Sequence, residues 1–256
     1  MLRFALTVFM LLPALLLTGN STAADIDSVR FRESEWDAQL LYYLQKGPRH
    51  LDRNLHVELP DYPANSSEET ARELRLLREY SQTRRDDATV ERIHIEARHG
   101  DFAEIYLDNG PFTGELRTAA RYVVTFANKE IFYFILREKK RFSRPRPSAL
   151  DPDLELVIPN PGHPAYPSGH ATQAMLFSRI MALVDPDNAS MYIHYAEDIA
   201  QRREIAGVHY PSDSRAGRLL ADVLLDALLT VPEFSEALNS AQESFRTDKK
   251  VSMNHD

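Results

Sequence analysis

A long helical repeat of apolar residues in the middle of the chain most constrains the fold. From Glu115 to about Arg141, apolar side chains recur three and four residues apart, whereas the strict alternation that is typical of strands is nearly absent from the sequence. This spacing places the apolar side chains on one face of a helix, and that face must be buried. Since 43% of the 256 residues are hydrophobic, the chain can bury a sizeable core. We therefore predict a single compact all-α domain.

Other segments also favour helices. The predicted helices are Ser34 to Gln45, a helix after Ser66, a charged helix from about Thr89 to Ile105, Gly169 to Val184, Asn188 to Arg203, Asp213 to Leu229, and a last helix from near Pro232. Ser66 followed by Glu69 resembles a capping box, and the segment from Ser143 to Pro167 is predicted to be a loop because it holds seven of the fifteen prolines.

The two ends of the chain are predicted to lie outside this domain. Arg3 precedes an apolar stretch that is too short to span a membrane, and small residues lead up to Ala24. We predict a signal peptide over residues 1–24 that is cleaved after Ala24, a catalytic domain over 25–246, and a flexible tail over 247–256. The expected location is periplasmic or secreted, without stable membrane insertion after cleavage. An uncleaved anchor is the alternative.

Charge and cysteine content exclude several classes of function. The formal net charge of −8 argues against nucleic acid or an anionic membrane as the main partner. The absence of cysteine excludes disulfides, thiolate nucleophiles and cysteine-ligated metals. The sequence also has no aspartate-rich metal cage and no P-loop glycine pattern, so we predict no metal site.

Three polar clusters lie where helices are predicted to begin or end. In the first, Lys139 and Arg146 belong to a basic stretch, and Pro147 limits how the Arg146 guanidinium can point, which suits a bidentate contact with phosphate. The alternative is that these cations only stabilise the negative C-terminal end of a helix.

In the second cluster, Ser168 is a candidate N-cap, Gly169 allows close approach to the backbone, and His170 could donate a proton. The alternative is a capped helix with an exposed histidine.

The third cluster pairs a histidine with a carboxylate. Asp213 lies four residues after His209, so it can accept from one imidazole nitrogen and leave the other free as a nucleophile. Alternatively, Asp213 only places charge at a helix N-terminus. Together the clusters supply what metal-free covalent phosphoryl transfer requires: cations, helix-start amides, a nucleophile and an acid.

In order and in spacing, these residues resemble the signature of the type 2 phosphatidic acid phosphatase superfamily. The export signal, the chain length and the helical stretch beyond Asp213 are most similar to the bacterial class A non-specific acid phosphatases. The superfamily also includes vanadium-dependent haloperoxidases. The resemblance implies an all-α fold with the active site at the ends of central helices. It implies that His209 attacks phosphorus, that Asp213 orients it and that His170 protonates the leaving group. By the same resemblance the phosphate is held by Lys139, Arg146, Ser168, Gly169 and Arg203.

The sequence departs from the family pattern at a few positions. Arg202 precedes Arg203 where the family often has serine, and Ala165 and Ala171 differ from the usual class A residues around the second cluster. Arg144 begins a second Arg-Pro pair, but the residue seven positions before it is Arg137 rather than lysine, so the pairing of Lys139 with Arg146 fits better. A separate expectation is that His163, in the preceding loop, lines the mouth of the pocket.

The resulting prediction is an exported, metal-independent acid phosphatase that hydrolyses phosphate monoesters through a phosphohistidine intermediate. The alternatives are a vanadate-dependent haloperoxidase and a catalytically silent phosphate-binding protein. No cofactor is expected, although vanadate could bind as a phosphate mimic. The expected partners are small phosphomonoesters rather than nucleic acid, and a homo-oligomer is possible in this class.

Overall fold

The computed structural model describes residues 25–98 and 101–253, and in these ranges the regular structure is helical, without a strand. The all-α prediction is therefore confirmed. The predicted signal peptide, residues 99–100 and the last three residues lie outside the described residues. The α-helices are α1 (Ala38–Lys46), α2 (Glu68–Thr83), α3 (Asp87–Glu96), α4 (Phe102–Asn109), α5 (Gly114–Phe142), α6 (Pro147–Leu150), α7 (Gly169–Val184), α8 (Ala189–Ile205), α9 (Pro211–Leu229) and α10 (Pro232–Met253).

Helix α7 lies at the centre of the bundle. It packs mainly against α8 and α9, and also against α5 and α10. Twelve of its sixteen residues are buried. Its sequence is apolar almost all round, which is the pattern expected of a helix surrounded by other helices. The long helix α5 contributes the apolar stripe recognised in the sequence, with Val123, Ala127 and Ile131 fully buried in the same core.

Helix α9 approaches the start of α7 unusually closely because of Gly217. A Cβ atom at this position would lie 2.7 Å from the backbone oxygen of Ser168 and 3.1 Å from the backbone nitrogen of Thr172. Both distances are shorter than normal contacts to carbon. Glycine at 217 therefore lets the first turn of α7 sit directly against α9.

Two predicted helix starts differ from the observed ones because a different residue caps the helix. Helix α1 begins at Ala38 rather than Ser34, since the Asp37 side chain accepts from the backbone of Gln39 at 2.7 Å. Helix α2 is capped by Ser67, whose side chain accepts from the backbone of Thr70. Ser66, the predicted cap, instead donates its hydroxyl to Asp27.

Other boundaries also differ. The predicted charged helix from Thr89 to Ile105 is two helices, α3 and α4, and the second begins where Asp101 accepts from the backbone of Ala103. The predicted loop after Ser143 contains the single-turn helix α6, which starts with Pro147 at its first position. Helix α10 continues to Met253, well into the segment expected to fray from residue 247.

Candidate functional site

The three polar clusters meet at one end of the bundle. Lys139 lies in the last turn of α5, Arg146 directly before α6, Ser168 directly before α7, Arg203 near the end of α8, and His209 in the turn before α9. Hydrogen bonds join these segments: the Ser168 backbone N–H donates to the backbone oxygen of Asp213 at 3.0 Å, and Arg146 contacts His209. The fold therefore brings together residues that are up to about seventy positions apart in the sequence.

His209 is held between a carboxylate and a guanidinium. Its Nδ1 lies 3.0 Å from Asp213 Oδ2, and its Nε2 lies 3.1 Å from Arg146 Nη1. A guanidinium can only donate, so Nε2 is the accepting nitrogen and Nδ1 carries the hydrogen that it donates to Asp213. Burial, together with the nearby charges of Arg146 and Lys139, holds the pKa of His209 well below its usual range. The imidazole is therefore neutral, with a free electron pair on Nε2.

Asp213 is fixed by more than its contact with His209. Its Oδ2 also accepts from the backbone of Tyr210 at 3.0 Å, and its Oδ1 accepts from Arg144 Nη1 at 2.6 Å. The Arg144 side chain is fully buried and lies over the ring of Tyr210, with 3.7 Å between its Cζ atom and the ring centroid. The carboxylate that orients His209 is thus itself oriented by a buried cation.

Glu73, on α2, completes this support. Its Oε1 accepts from the backbone of Ser212 at 2.6 Å, and its Oε2 accepts from the Ser212 hydroxyl at 2.7 Å and from Arg144 at 3.3 Å. The sequence interpretation gave no role to Arg144 or Glu73. A signal for Glu73 existed, because Thr70, Glu73 and Leu77 share the buried face of α2, where a carboxylate needs a partner.

Besides Arg144, three more buried cations lie at this end of the bundle. Lys139 Nζ donates to the backbone oxygens of Pro164 at 2.8 Å and Ala165 at 3.2 Å, and burial lowers its pKa well below the usual value. Burial also lowers the pKa of Arg146 to about 9 and that of Arg203 to about 10, so both remain charged at neutral pH. The Nε and Nη1 atoms of Arg203 are buried and have no hydrogen-bond partner among the described residues. Buried guanidinium donors of this kind fit an anionic oxygen.

The start of α7 adds backbone donors to these cations. Ser168 is the N-cap, as predicted, and its hydroxyl accepts from the backbone of Ala171 at 3.4 Å. A Cβ atom at Gly169 would lie 3.7 Å from Cε of Lys139, so the lysine side chain runs close past the first helical residue. The free amides of a helix start favour an anion at this position.

His170 lies in the first turn of α7 and is bound from another helix. Its Nε2 is 2.9 Å from the backbone oxygen of Glu96, and its ring makes an edge-on contact with Phe102 at 4.6 Å between centroids. Shielding from water and the charge of Arg203 lower the pKa of His170 well below its usual value, while the contact with Glu96 opposes this shift. Without a bound anion the ring is therefore neutral at pH 7.

His163 lies against Arg146. Its Nδ1 is 2.9 Å from Arg146 Nη2, and its backbone oxygen accepts from Nη2 at 2.9 Å and from Nε at 3.1 Å. With Val208 and His209 accepting from Nη1, every N–H group of Arg146 has a partner inside the protein. An anion that binds Arg146 must therefore exchange with one of these contacts.

The described residues contain neither a cluster of side chains suited to a metal ion nor a helix suited to span a membrane. No group of three or more histidine, aspartate or glutamate side chains there could hold a metal ion. In the same part of the chain, no helix is both long enough and apolar enough to cross a membrane.

Comparison with known proteins finds similarity to the PAP2 superfamily and to bacterial non-specific acid phosphatases. The PAP2 superfamily model matches residues 118–235, a stretch that contains all three clusters. The chain is 30% identical to the non-specific acid phosphatases of Salmonella typhi and of Salmonella typhimurium over 118 residues, which cover 44% of this chain and 46% of each relative. It is 30% identical to the non-specific acid phosphatase of Providencia stuartii over 86 residues, which cover 34% of this chain and 35% of that relative.

The resemblance seen in the motifs is thus confirmed over residues 118–235, the part of the chain that the superfamily model matches. The matches span less than half the length of these relatives. A crystal structure described as the first bacterial vanadium-dependent iodoperoxidase aligns with a TM-score of 0.44 at 17% identity, and the alignment covers 68% of this chain and 53% of that one.

Proposed function

We propose that this protein is a phosphatase that hydrolyses phosphate monoesters without a metal, through a phosphohistidine at His209. The observation that carries the proposal is the position of His209 between Asp213 and Arg146. Its Nε2 accepts a hydrogen bond from a guanidinium that is suited to phosphate. A phosphoryl group bound to Arg146 would therefore lie beside the electron pair of the nucleophile.

In the proposed reaction, Nε2 of His209 attacks phosphorus and the ester P–O bond breaks. His170 gives its proton to the departing oxygen, and Asp213 stabilises the charge on the His209 ring. Neutral His170 then takes a proton from water as the water attacks the phosphohistidine, which releases phosphate and restores both histidines. Lys139, Arg146, Arg203 and the start of α7 would neutralise the phosphate oxygens throughout.

The electrostatics of the site support acidic working conditions. The low pKa of His209 keeps the nucleophile unprotonated in acid. His170 must carry a proton to act as an acid, although cations depress its pKa in the protein without substrate. A phosphate dianion placed among those cations would raise the pKa of His170, so substrate binding would itself charge the acid. We expect a bell-shaped dependence of kcat on pH.

The test uses p-nitrophenyl phosphate across pH, with and without excess EDTA. We expect turnover that the chelator does not reduce, a phosphohistidine at His209 trapped by rapid quenching, and no turnover in His209→Ala. The matched control is His194→Ala, since the His194 side chain is 76% exposed and far along α8 from the site. Phosphate release by His209→Ala would refute the mechanism. Tight phosphate binding without turnover would instead favour a binding protein.

The groups proposed to bind phosphate (Lys139, Arg146, Arg203 and the start of α7) would also bind vanadate, whose five-coordinate form mimics the phosphoryl group during transfer. We expect vanadate to inhibit phosphate release competitively. Halide oxidation by the vanadate-loaded protein, with no phosphatase activity, would replace the proposal with the haloperoxidase alternative.

We also propose that the protein is exported, on the grounds of the leader pattern in residues 1–24. Mature protein beginning at Asp25 in the periplasm or the medium would support this. Full-length protein retained in the membrane fraction would contradict it.

A further inference from the structure

The contact between His170 and α3 suggests how the proposed acid is positioned. The backbone oxygen of Glu96 accepts a hydrogen bond from His170, and the Glu96 side chain contacts Arg202 on α8. Glu96 Oε1 accepts from Arg202 Nε at 2.8 Å and lies 2.7 Å from Arg202 Nη2. Both side chains are largely buried, with relative exposures of 15% for Arg202 and 4% for Glu96. Two donors of the planar guanidinium thus converge on one oxygen, a two-point contact that limits how Arg202 can approach Glu96.

We propose that the Glu96–Arg202 pair is a positioning device that holds the Glu96 carbonyl on His170 and so favours hydrolysis of esters with poor leaving groups. The inference rests on the proposed function, in which His170 is the general acid. Arg202 is also one of the positions at which the sequence departs from the pattern that it resembles.

The direction of the effect follows from hydrogen-bond chemistry. A carbonyl oxygen can only accept, so Nε2 of His170 carries its hydrogen and Nδ1 is left to take up the second proton and deliver it to the ester oxygen. An N–H donor in an imidazolium binds a carbonyl more strongly than the same donor in a neutral ring. The Glu96 contact therefore favours the charged form of His170, which is the form that the acid step requires.

The charged groups around His170 otherwise oppose its protonation. Arg203 faces it from α8, Lys139 from α5 and Arg146 from the segment before α6, and all three lower its pKa. His209, before α9, is electrostatically coupled to His170, and the ring of Phe102 packs against it from α4. Among the described neighbours, the Glu96 carbonyl is the one group identified as raising the pKa of His170. Loosening the contact between this carbonyl and His170 should therefore lower the fraction of His170 that carries the second proton.

The decisive variants are Arg202→Ser and Glu96→Gln. The second keeps the shape of the side chain and still offers an acceptor to Arg202, so it serves if Arg202→Ser, which leaves a buried carboxylate unpaired, folds poorly. Arg202→Lys keeps the charge but not the two-point geometry. Arg121→Ser is the matched control, because Arg121 forms an exposed pair with Glu104 many turns of α5 away from Lys139.

The full chain is assayed on two substrates that differ in their need for an acid. The leaving group of p-nitrophenyl phosphate departs readily without protonation, whereas the alkoxide of glycerol 2-phosphate does not. We expect Arg202→Ser to lower kcat for glycerol 2-phosphate about tenfold or more and kcat for p-nitrophenyl phosphate less than about threefold, with KM little changed. Glu96→Gln keeps a weaker, neutral contact with Arg202, so it should lower kcat for glycerol 2-phosphate less than Arg202→Ser does, but still more than it lowers kcat for p-nitrophenyl phosphate. The alkaline limb of the pH profile should move to lower pH for glycerol 2-phosphate. Arg202→Lys should recover part of the loss.

Nuclear magnetic resonance gives a readout that does not depend on turnover. In the presence of inorganic phosphate, the pKa of His170 should be lower in both variants than in the wild type and unchanged in Arg121→Ser. Equal losses on the two substrates, or a pKa of His170 that does not move, would overturn the proposal. If the wild type hydrolyses neither ester, the proposed function fails, and the pKa comparison alone decides whether the pair controls His170.

Discussion

The close approach of α7 and α9 makes Gly217 the most instructive position for a stability test. Replacement by alanine adds one carbon atom that would lie 2.7 Å from the Ser168 backbone oxygen and 2.9 Å from Cβ of Ala171. Neither atom belongs to a flexible side chain that could swing away. The two helices must therefore separate by several tenths of an ångström at the start of α7.

The magnitude follows from two opposing effects. Overpacking a dense core costs about 1–3 kcal/mol, and the rigid neighbours here place the cost near about 3 kcal/mol. Alanine also favours the helix over glycine by about 1 kcal/mol. We therefore expect Gly217→Ala to lower the free energy of unfolding by about 2 kcal/mol and Tm by about 4–8 °C in a domain of this size. Turnover should fall as well, since Ser168 begins the segment that carries His170.

The matched control is Gly114→Ala, the same substitution at the first residue of α5. A Cβ atom there would meet nothing within 4 Å. We expect no loss of stability, or a gain of about 0.4–1 kcal/mol because the unfolded chain loses freedom. Thermal and urea unfolding, followed by circular dichroism, measure both variants. A Gly217→Ala protein that melts with the wild type, or above it as Gly114→Ala should, would refute the argument from close packing.

Three further outcomes are expected. Asp213→Asn should lower kcat for p-nitrophenyl phosphate by about 10²–10⁴-fold with little change in KM, because the His209 ring loses the acceptor that fixes its tautomer. An unchanged kcat would contradict the assigned geometry. Arg144→Met should lower the free energy of unfolding in urea by about 3–5 kcal/mol, since it removes the buried cation that contacts both Asp213 and Glu73. Adding Glu73→Gln should recover part of this loss, and a loss below about 1 kcal/mol would show that the cation is dispensable. The site histidines have depressed pKa values in the folded protein, so below about pH 6.5 the unfolded chain binds more protons than the folded one. The free energy of unfolding therefore decreases as the pH is lowered, and His163→Gln should reduce that slope by up to about 1.4 kcal/mol per pH unit. An unchanged slope would argue against a neutral His163.

Part of this site could be predicted because its residues lie in short, ordered clusters. The four-residue spacing of His209 and Asp213, the cap at Ser168 and the proline after Arg146 are local features, and each has a direct chemical meaning. The apolar repeat in α5 likewise predicted the all-α class. These features depend on helix periodicity and on neighbours within one or two turns, which the sequence displays directly.

Helix boundaries were less predictable because several residues compete for the same cap. Ser66 and Ser67 are both good N-cap residues, and the choice between them depends on Asp27, which binds the Ser66 backbone and hydroxyl from 39 positions away. The break between α3 and α4 has the same origin, because Asp101 offers a cap inside a stretch that is otherwise compatible with one helix. Local propensity alone does not rank such alternatives.

The sequence by itself determined the helical class, the three clusters and the chemistry that their residue types permit. Only the tertiary structure decided which buried groups support that chemistry. Glu73 binds the backbone of Ser212 across 139 positions, and Glu96 binds Arg202 across 106. No local pattern specifies such pairs, because they form when packing removes charged groups from water and each must find a partner. The sequence could therefore indicate the candidate histidines, while packing determines which groups contact them.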